Sequence, residues 1–161
     1  MPDLRHEALI RRALDLARQA RDHGNHPFGA LLANADGKVL LEAENTVVTE
    51  RDCTGHAETN LMRLACLDLD RDVLASATLY TSTEPCAMCA GAIYWAGVSQ
   101  VVFGLREAEL RALTGSDPDN PSLALPCREV FARGQRPIGV IGPLLEDEAR
   151  DVHEGFWHAP Q

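Results

Sequence analysis

The chain has 161 residues, 45% of them hydrophobic and 24% charged, a composition that suits one globular domain spanning residues 1–161 and excludes a disordered or low-complexity protein. Its 15 Lys+Arg stand against 24 Asp+Glu, a formal charge of -9, and the only lysine is Lys38. That field disfavours phosphate backbones and anionic lipid, so neither nucleic acid nor membrane is an expected partner.

The predicted elements follow in chain order. Leu4, Ala8, Leu9, Ala13, Leu14, Leu16 and Ala17 recur at helical spacing over residues 4–21, and His23-Gly24-Asn25 stops that helix. Phe28 to Ala33 is a short apolar strand, Asn34-Ala35-Asp36-Gly37 a hairpin turn, and Lys38 to Ala43 the returning strand. Residues 45–55 are polar and irregular. A helix starts near Thr54-Gly55-His56 and runs to about Asp70, followed by a third strand over Thr78 to Thr81. Pro85, well suited to a first helical turn, opens a helix over Cys86 to Ala96. Ser99 to Gly104 reads as a fourth strand, Arg106 to Leu113 as a helix, and Thr114 to Pro121 as a loop. Cys127 to Arg133 is a short helix, Ile138 to Ile141 a fifth strand, and Glu146 to Trp157 a C-terminal helix. A hairpin followed by strands alternating with helices predicts an α/β fold with a mixed sheet and helices on its faces.

The cysteines are Cys53, Cys66, Cys86, Cys89 and Cys127, an odd set with no secretory leader ahead of them, and no run of about eighteen apolar residues occurs. A cytoplasmic, reducing location is expected, where cysteines serve as metal ligands or buried thiols. Two segments carry candidate chemistry: Gly55-His56-Ala57-Glu58 and Glu84-Pro85-Cys86-Ala87-Met88-Cys89. Zinc favours imidazole and thiolate donors, and a catalytic zinc keeps three protein ligands with an open fourth position for water; His56, Cys86 and Cys89 supply such a set. Cys86 and Cys89 are neighbours on one helical face in a first turn, where free N–H groups and the helix dipole favour thiolates. Glu58, at a helix start, can lean toward the open position and move protons there. A CxxC pair also serves as a redox dithiol, and a structural zinc would take a fourth ligand, for which Cys53 is the candidate. His-x-Glu upstream of the pair weighs against the dithiol, and a structural zinc has no use for an unliganded Glu58.

The H-x-E…P-C-x-x-C pattern resembles the cytidine/deoxycytidylate deaminase superfamily of zinc-dependent enzymes. The likeness runs from Asn25-His26-Pro27-Phe28-Gly29-Ala30 through HAETNLMRLA and TLYTSTEPCAMCAGAIYWAG to VVFG. It implies a three-layer α/β/α sandwich around a five-stranded mixed sheet, zinc on His56, Cys86 and Cys89, Glu58 as the proton shuttle, and a homodimer. Within the superfamily, Gly91-Ala92-Ile93-Tyr94-Trp95-Ala96 looks like the guanine deaminase branch. That branch implies a small-molecule nucleobase substrate, with guanine giving xanthine. By the same resemblance Trp95 lines the pocket, Asn45 hydrogen-bonds the purine, Asp117 assists recognition and proton transfer, and a C-terminal aromatic closes the pocket. Here that tail reads Gly155-Phe156-Trp157-His158 where guanine deaminases carry a Tyr, and Asp119 to Pro126 is an insertion. Phe28 is a candidate apolar wall. Cytosine, nucleoside, aminotriazine and tRNA adenosine deaminases share the metal motif, and the acidic chain weighs against tRNA.

Overall fold

The computed structural model describes residues 3–115 and 117–157. Helix α1 (Leu4–Asp22) starts where the Asp3 carboxylate accepts the backbone N–H groups of Arg5 and His6, and its buried face carries Ile10, Ala13, Leu14, Ala17 and Ala20. Strands β1 (Gly29–Ala33) and β2 (Val39–Glu44) form the expected hairpin, antiparallel with Gly29 opposite Glu44 and a shift in register at Leu32/Ala33. Then come α2 (Ala57–Asp68), α3 (Arg71–Ser76), β3 (Thr78–Thr83), α4 (Ala87–Ala96) and β4 (Gln100–Leu105). The chain continues through α5 (Glu107–Thr114), α6 (Cys127–Ala132), β5 (Gly139–Ile141) and α7 (Glu146–Asp151).

The sheet order is β2-β1-β3-β4-β5. β1 is antiparallel to β2 and β3, whereas β3, β4 and β5 run parallel. β3 and β4 are buried along almost their whole length, as parallel strands covered on both faces must be. Alternation along β3 splits the core in two. Leu79 joins Leu61, Ala65, Ala90, Ile93 and Val101 under α2 and α4. Tyr80 joins Ile10, Leu14, Leu31, Val102 and Leu105 under α1 and α7. The two cores are the two interlayer spaces of the expected α/β/α sandwich.

One boundary and one helix differ from the sequence reading by more than a residue or two. The C-terminal helix was expected to reach Trp157 but ends at Asp151, and residues 152–157 form turns; Gly155 adopts φ +70°, which a right-handed helix cannot accommodate. Helix α3 was not expected. Its six residues bury only Leu74, too little to register as a periodic pattern.

Helix α1 crosses the start of β1 so closely that a Cβ on Gly29 would lie 2.5 Å from the Ala17 nitrogen and 2.6 Å from the Ala13 carbonyl oxygen. Both atoms belong to helical backbone that cannot yield cheaply. Gly29→Ala is therefore expected to cost about 2–3 kcal/mol and lower the thermal midpoint by about 5–10 °C. A calorimetric scan returning the wild-type midpoint would contradict this crossing.

Candidate functional site

The site lies at the carboxyl ends of β3 and β4, where two helices begin. His56 is the N-cap of α2 and Cys86 the N-cap of α4; both have extended backbone, and neither uses its side chain as a cap. Each is thereby free to turn toward the other. Cys89 follows in the first turn of α4. The His56 Nδ1 lies 3.5 Å from Cys86 Sγ and 3.6 Å from Cys89 Sγ, and the three donor atoms fall within 4.8 Å of one another. Tetrahedral zinc with Zn–S near 2.3 Å and Zn–N near 2.0–2.1 Å requires N···S separations of about 3.6 Å. The donor set fits that ion. All five cysteines are free thiols, so Cys86 and Cys89 are not a disulfide. Cys53 is exposed and outside the donor cluster.

The electrostatics fit as well. The Cys86 thiol is pulled down to about 4, chiefly by its hydrogen bond with Cys89 and then by His56. The same bond pushes Cys89 up, and the bond to Cys86 raises His56. Thr59 Oγ1 sits 3.2 Å from Cys89 Sγ, a further contact to that sulfur.

Glu58, in the first turn of α2, is only 5% exposed. Burial pushes its carboxyl up, against hydrogen bonds from Thr81 and Cys89 that favour the ionised form. It shares a hydrogen bond with Cys89 and feels the charges of Cys86 and His56. Asn60 Nδ2 ties the approach to the helix by donating to the carbonyls of Glu44 (3.0 Å) and Gly55 (3.3 Å) and to Thr46 Oγ1 (3.0 Å).

A cavity of about 580 Å³ opens beside the three donors. His26, His56 and Cys86 line it, as do Leu110, Arg111 and Thr114 of α5 and the loop Asp119–Leu123. Part of the insertion therefore forms the cavity rim. Asn45 and Asp117 are buried and do not themselves line the cavity; each holds the backbone of a residue that does. Asn45 Oδ1 accepts the Val47 N–H at 3.1 Å, and Asp117 Oδ1 accepts the Asp119 N–H at 2.9 Å. Phe28, Phe156 and Trp157 come together: Phe156 and Trp157 stand edge-on to His26 at 5.9 and 5.1 Å, and Trp157 lies 6.1 Å from Phe28. Trp95, expected at the pocket, is 84% exposed in the single chain, where it packs on Tyr94 and does not line this cavity. Six residues past Cys89 rotate a side chain by about 240°, so a helix that aims Cys89 inward aims Trp95 outward.

Sequence reasoning missed four residues here. Thr81 had a signal in the alternation of β3, which puts it on the face of Leu79. His26 and Asn60 lie inside the stretches that carry the resemblance, but nothing in their neighbours marks them: His26 meets Phe156 and Trp157 from the far end of the chain, and Asn60 ties the end of β2 to the start of α2. His153 is the fourth: buried, stacked on Trp157, and accepting the Trp157 Nε1–H at 3.0 Å through Nδ1. That bond places the ring proton on Nε2, which has no partner among the described residues.

Comparison with known proteins agrees with this geometry. Residues 4–105 match the family model of the cytidine and deoxycytidylate deaminase zinc-binding region. The chain is 43% identical over 150 residues to a probable cytosine deaminase of Schizosaccharomyces pombe, covering 93% of this chain and 91% of that one. It is 40% identical over 107 residues to a guanine deaminase of Bacillus subtilis, covering 66% and 68% respectively. Among solved structures, a deaminase that carries out A-to-I editing at the wobble position of transfer RNA superposes with a TM-score of 0.71 at 29% identity, over 91% of this chain and 99% of that one.

Burial pushes His153 down from 6.5 to about 4, so the fold holds the ring neutral. The corresponding stability, on the order of 3 kcal/mol, is present above pH 6.5 and is lost as the pH falls toward 4. His153→Gln keeps an acceptor for Trp157 without titrating. Its denaturation free energy is expected to fall less steeply across that window than the wild type's; parallel curves would show that His153 is not the titrating group.

Proposed function

The chain belongs to the cytidine and deoxycytidylate deaminase family, and from that premise we propose that residues 1–161 form one deaminase domain acting on a free nucleobase, with guanine as first substrate. The observation that carries this is the pairing of three donors at tetrahedral zinc separations with the buried Glu58 carboxyl beside them. The overall change is replacement of a ring amino group by a carbonyl with release of ammonia, one water being consumed; guanine would give xanthine.

His56, Cys86 and Cys89 would hold the zinc. When bound, zinc supplies Lewis-acid activation of water at neutral pH. Glu58 does the proton work. A carboxyl raised by burial can carry one proton from the attacking water to a ring nitrogen, then carry the second proton, from the hydroxyl formed at the ring carbon, to the departing amino group as the carbonyl forms. The Thr81 hydroxyl orients it. Val47 and Asp119, fixed by Asn45 and Asp117, would meet the ring's edge, while Phe28, Phe156 and Trp157 back the apolar side. This gives Asn45 and Asp117 roles in selectivity that act through backbone placement as well as any direct contact.

Relatives, local sequence and charge all bear on the substrate. The guanine reading draws on the Bacillus subtilis relative and on the sequence around Ile93. The longer match to the Schizosaccharomyces pombe protein favours cytosine as the second reading. A tRNA substrate is disfavoured by the charge of -9 and the single lysine. A homodimer belongs to the same proposal. α2 packs against α4, and the two helices leave Leu64, Leu67, Met88 and Trp95 exposed, apolar surface that a second copy would cover. No helix among the described residues is long and apolar enough to cross a membrane.

The test is ammonia release from guanine, cytosine, adenosine and guanosine. Guanine is expected to be turned over fastest; brisk turnover of cytosine with none of guanine would transfer the assignment to the second reading. Glu58→Gln is expected to retain its metal and lose about 100- to 10,000-fold in kcat. Activity within a few-fold of wild type in that variant would assign the proton transfer to another group.

A further inference from the structure

The C-terminal turn is held by a residue from the opposite end of the chain. Arg21, in the last turn of α1, donates from Nη1 to the carbonyl of Val152 at 3.0 Å and to that of Glu154 at 2.7 Å. Its guanidinium carbon lies 5.4 Å from the centroid of the Phe156 ring. The two carbonyls bracket His153. Residues 152–157 have no helical ladder of their own, since α7 has ended and Gly155 reverses the backbone. The turn's own backbone bonds are short-range, from the N–H groups of His153, Glu154 and Phe156 to carbonyls three residues back, and one planar guanidinium that bonds two carbonyls and covers a ring ties it to α1.

What the turn carries reaches the cavity. Phe156 and Trp157 press edge-on against His26, and His153 and Trp157 lie 5.4 and 6.1 Å from Phe28. His26 lines the cavity with His56 and Cys86. The contacts therefore run without a gap from Arg21 through the turn and His26 to the cavity wall, all within one chain.

We infer that Arg21 is a positioning residue: it clamps the chain's own C-terminal aromatic turn behind His26 and so sets the cavity wall against which the substrate ring packs. The inference deepens the deaminase reading, and its effect on turnover rests on that reading. Arg21 touches none of the donor atoms, so it acts on substrate binding and leaves the chemical step alone.

The experiment uses full-length, zinc-loaded Arg21→Gln and Arg21→Lys. With whichever of guanine and cytosine the wild type deaminates, KM is expected to rise about tenfold while kcat stays within about threefold and zinc content is unchanged. A second arm uses a Trp95→Phe background, which leaves Trp157 as the only tryptophan of the two. Acrylamide quenching of Trp157 is expected to increase about twofold in both Arg21 variants, because the released turn opens locally. Arg21→Lys is expected to behave like Arg21→Gln, since an ammonium on a shorter stem cannot both reach the two carbonyls and lay a planar face on Phe156. Unchanged KM, or a fall in kcat together with zinc loss at constant KM, would overturn the positioning role. The quenching arm needs no substrate: if neither base is turned over, the substrate reading fails, and unchanged Trp157 quenching would still overturn the clamp.

Discussion

Helix N-caps are normally occupied by side chains that turn back to satisfy the first free N–H groups. At His56 and Cys86 the chain gives up that use, and two helices packed side by side on one face of the sheet deliver their cap side chains to one point. Everything else at the site follows from this convergence. Cys89 arrives because it lies three residues into the same first turn as Cys86. Glu58 arrives because it lies in the first turn behind His56, where it is buried. The positive ends of both helix dipoles meet there, which favours the thiolates and the anionic form of the carboxylate. α2 follows β2 and packs on β1 and β2, α4 follows β3, and the two helices pack on each other, so fold and metal geometry are a single constraint.

The same convergence gathers acid groups in a place with little water. Two thiols and a carboxyl crowd one imidazole, and without a cation only part of that charge can exist: Cys86 ionises while Cys89 and Glu58 are pushed toward their neutral forms. A divalent cation reverses the balance, because it binds deprotonated thiols and releases their protons. Zinc binding and the readiness of Glu58 to exchange a proton are thus parts of one electrostatic arrangement. The arrangement also separates roles in space, with donors at the floor, backbone held by Asn45 and Asp117 along the rim, and an aromatic wall behind His26.

Much of this was legible in the sequence, and what was not has physical reasons. His-x-Glu and Pro-Cys-x-x-Cys are local patterns whose spacing alone places side chains in first turns, so Glu58 and the three donors could be read directly. The strands over Phe28–Ala33 and Ser99–Gly104 stood out as apolar runs and match β1 and β4 within a residue or two. Trp95, six residues beyond Cys89, lies on the outward phase of α4 and in one chain faces away from the donors. The C-terminal helix was drawn too long because Gly155 lies among residues that otherwise suit a helix. Arg21, His26 and His153 left no trace, since each works through a partner more than a hundred residues away in sequence or through an aromatic cluster assembled only by the fold.

The zinc site is the point on which the rest turns, and X-ray absorption at the zinc edge of the purified protein examines it directly. Two sulfurs at about 2.3 Å, one imidazole nitrogen at about 2.0–2.1 Å and one further light-atom ligand are expected, at about one zinc per chain. A third sulfur in the first shell, or protein that folds and deaminates with no zinc, would contradict a three-ligand catalytic centre built on His56, Cys86 and Cys89.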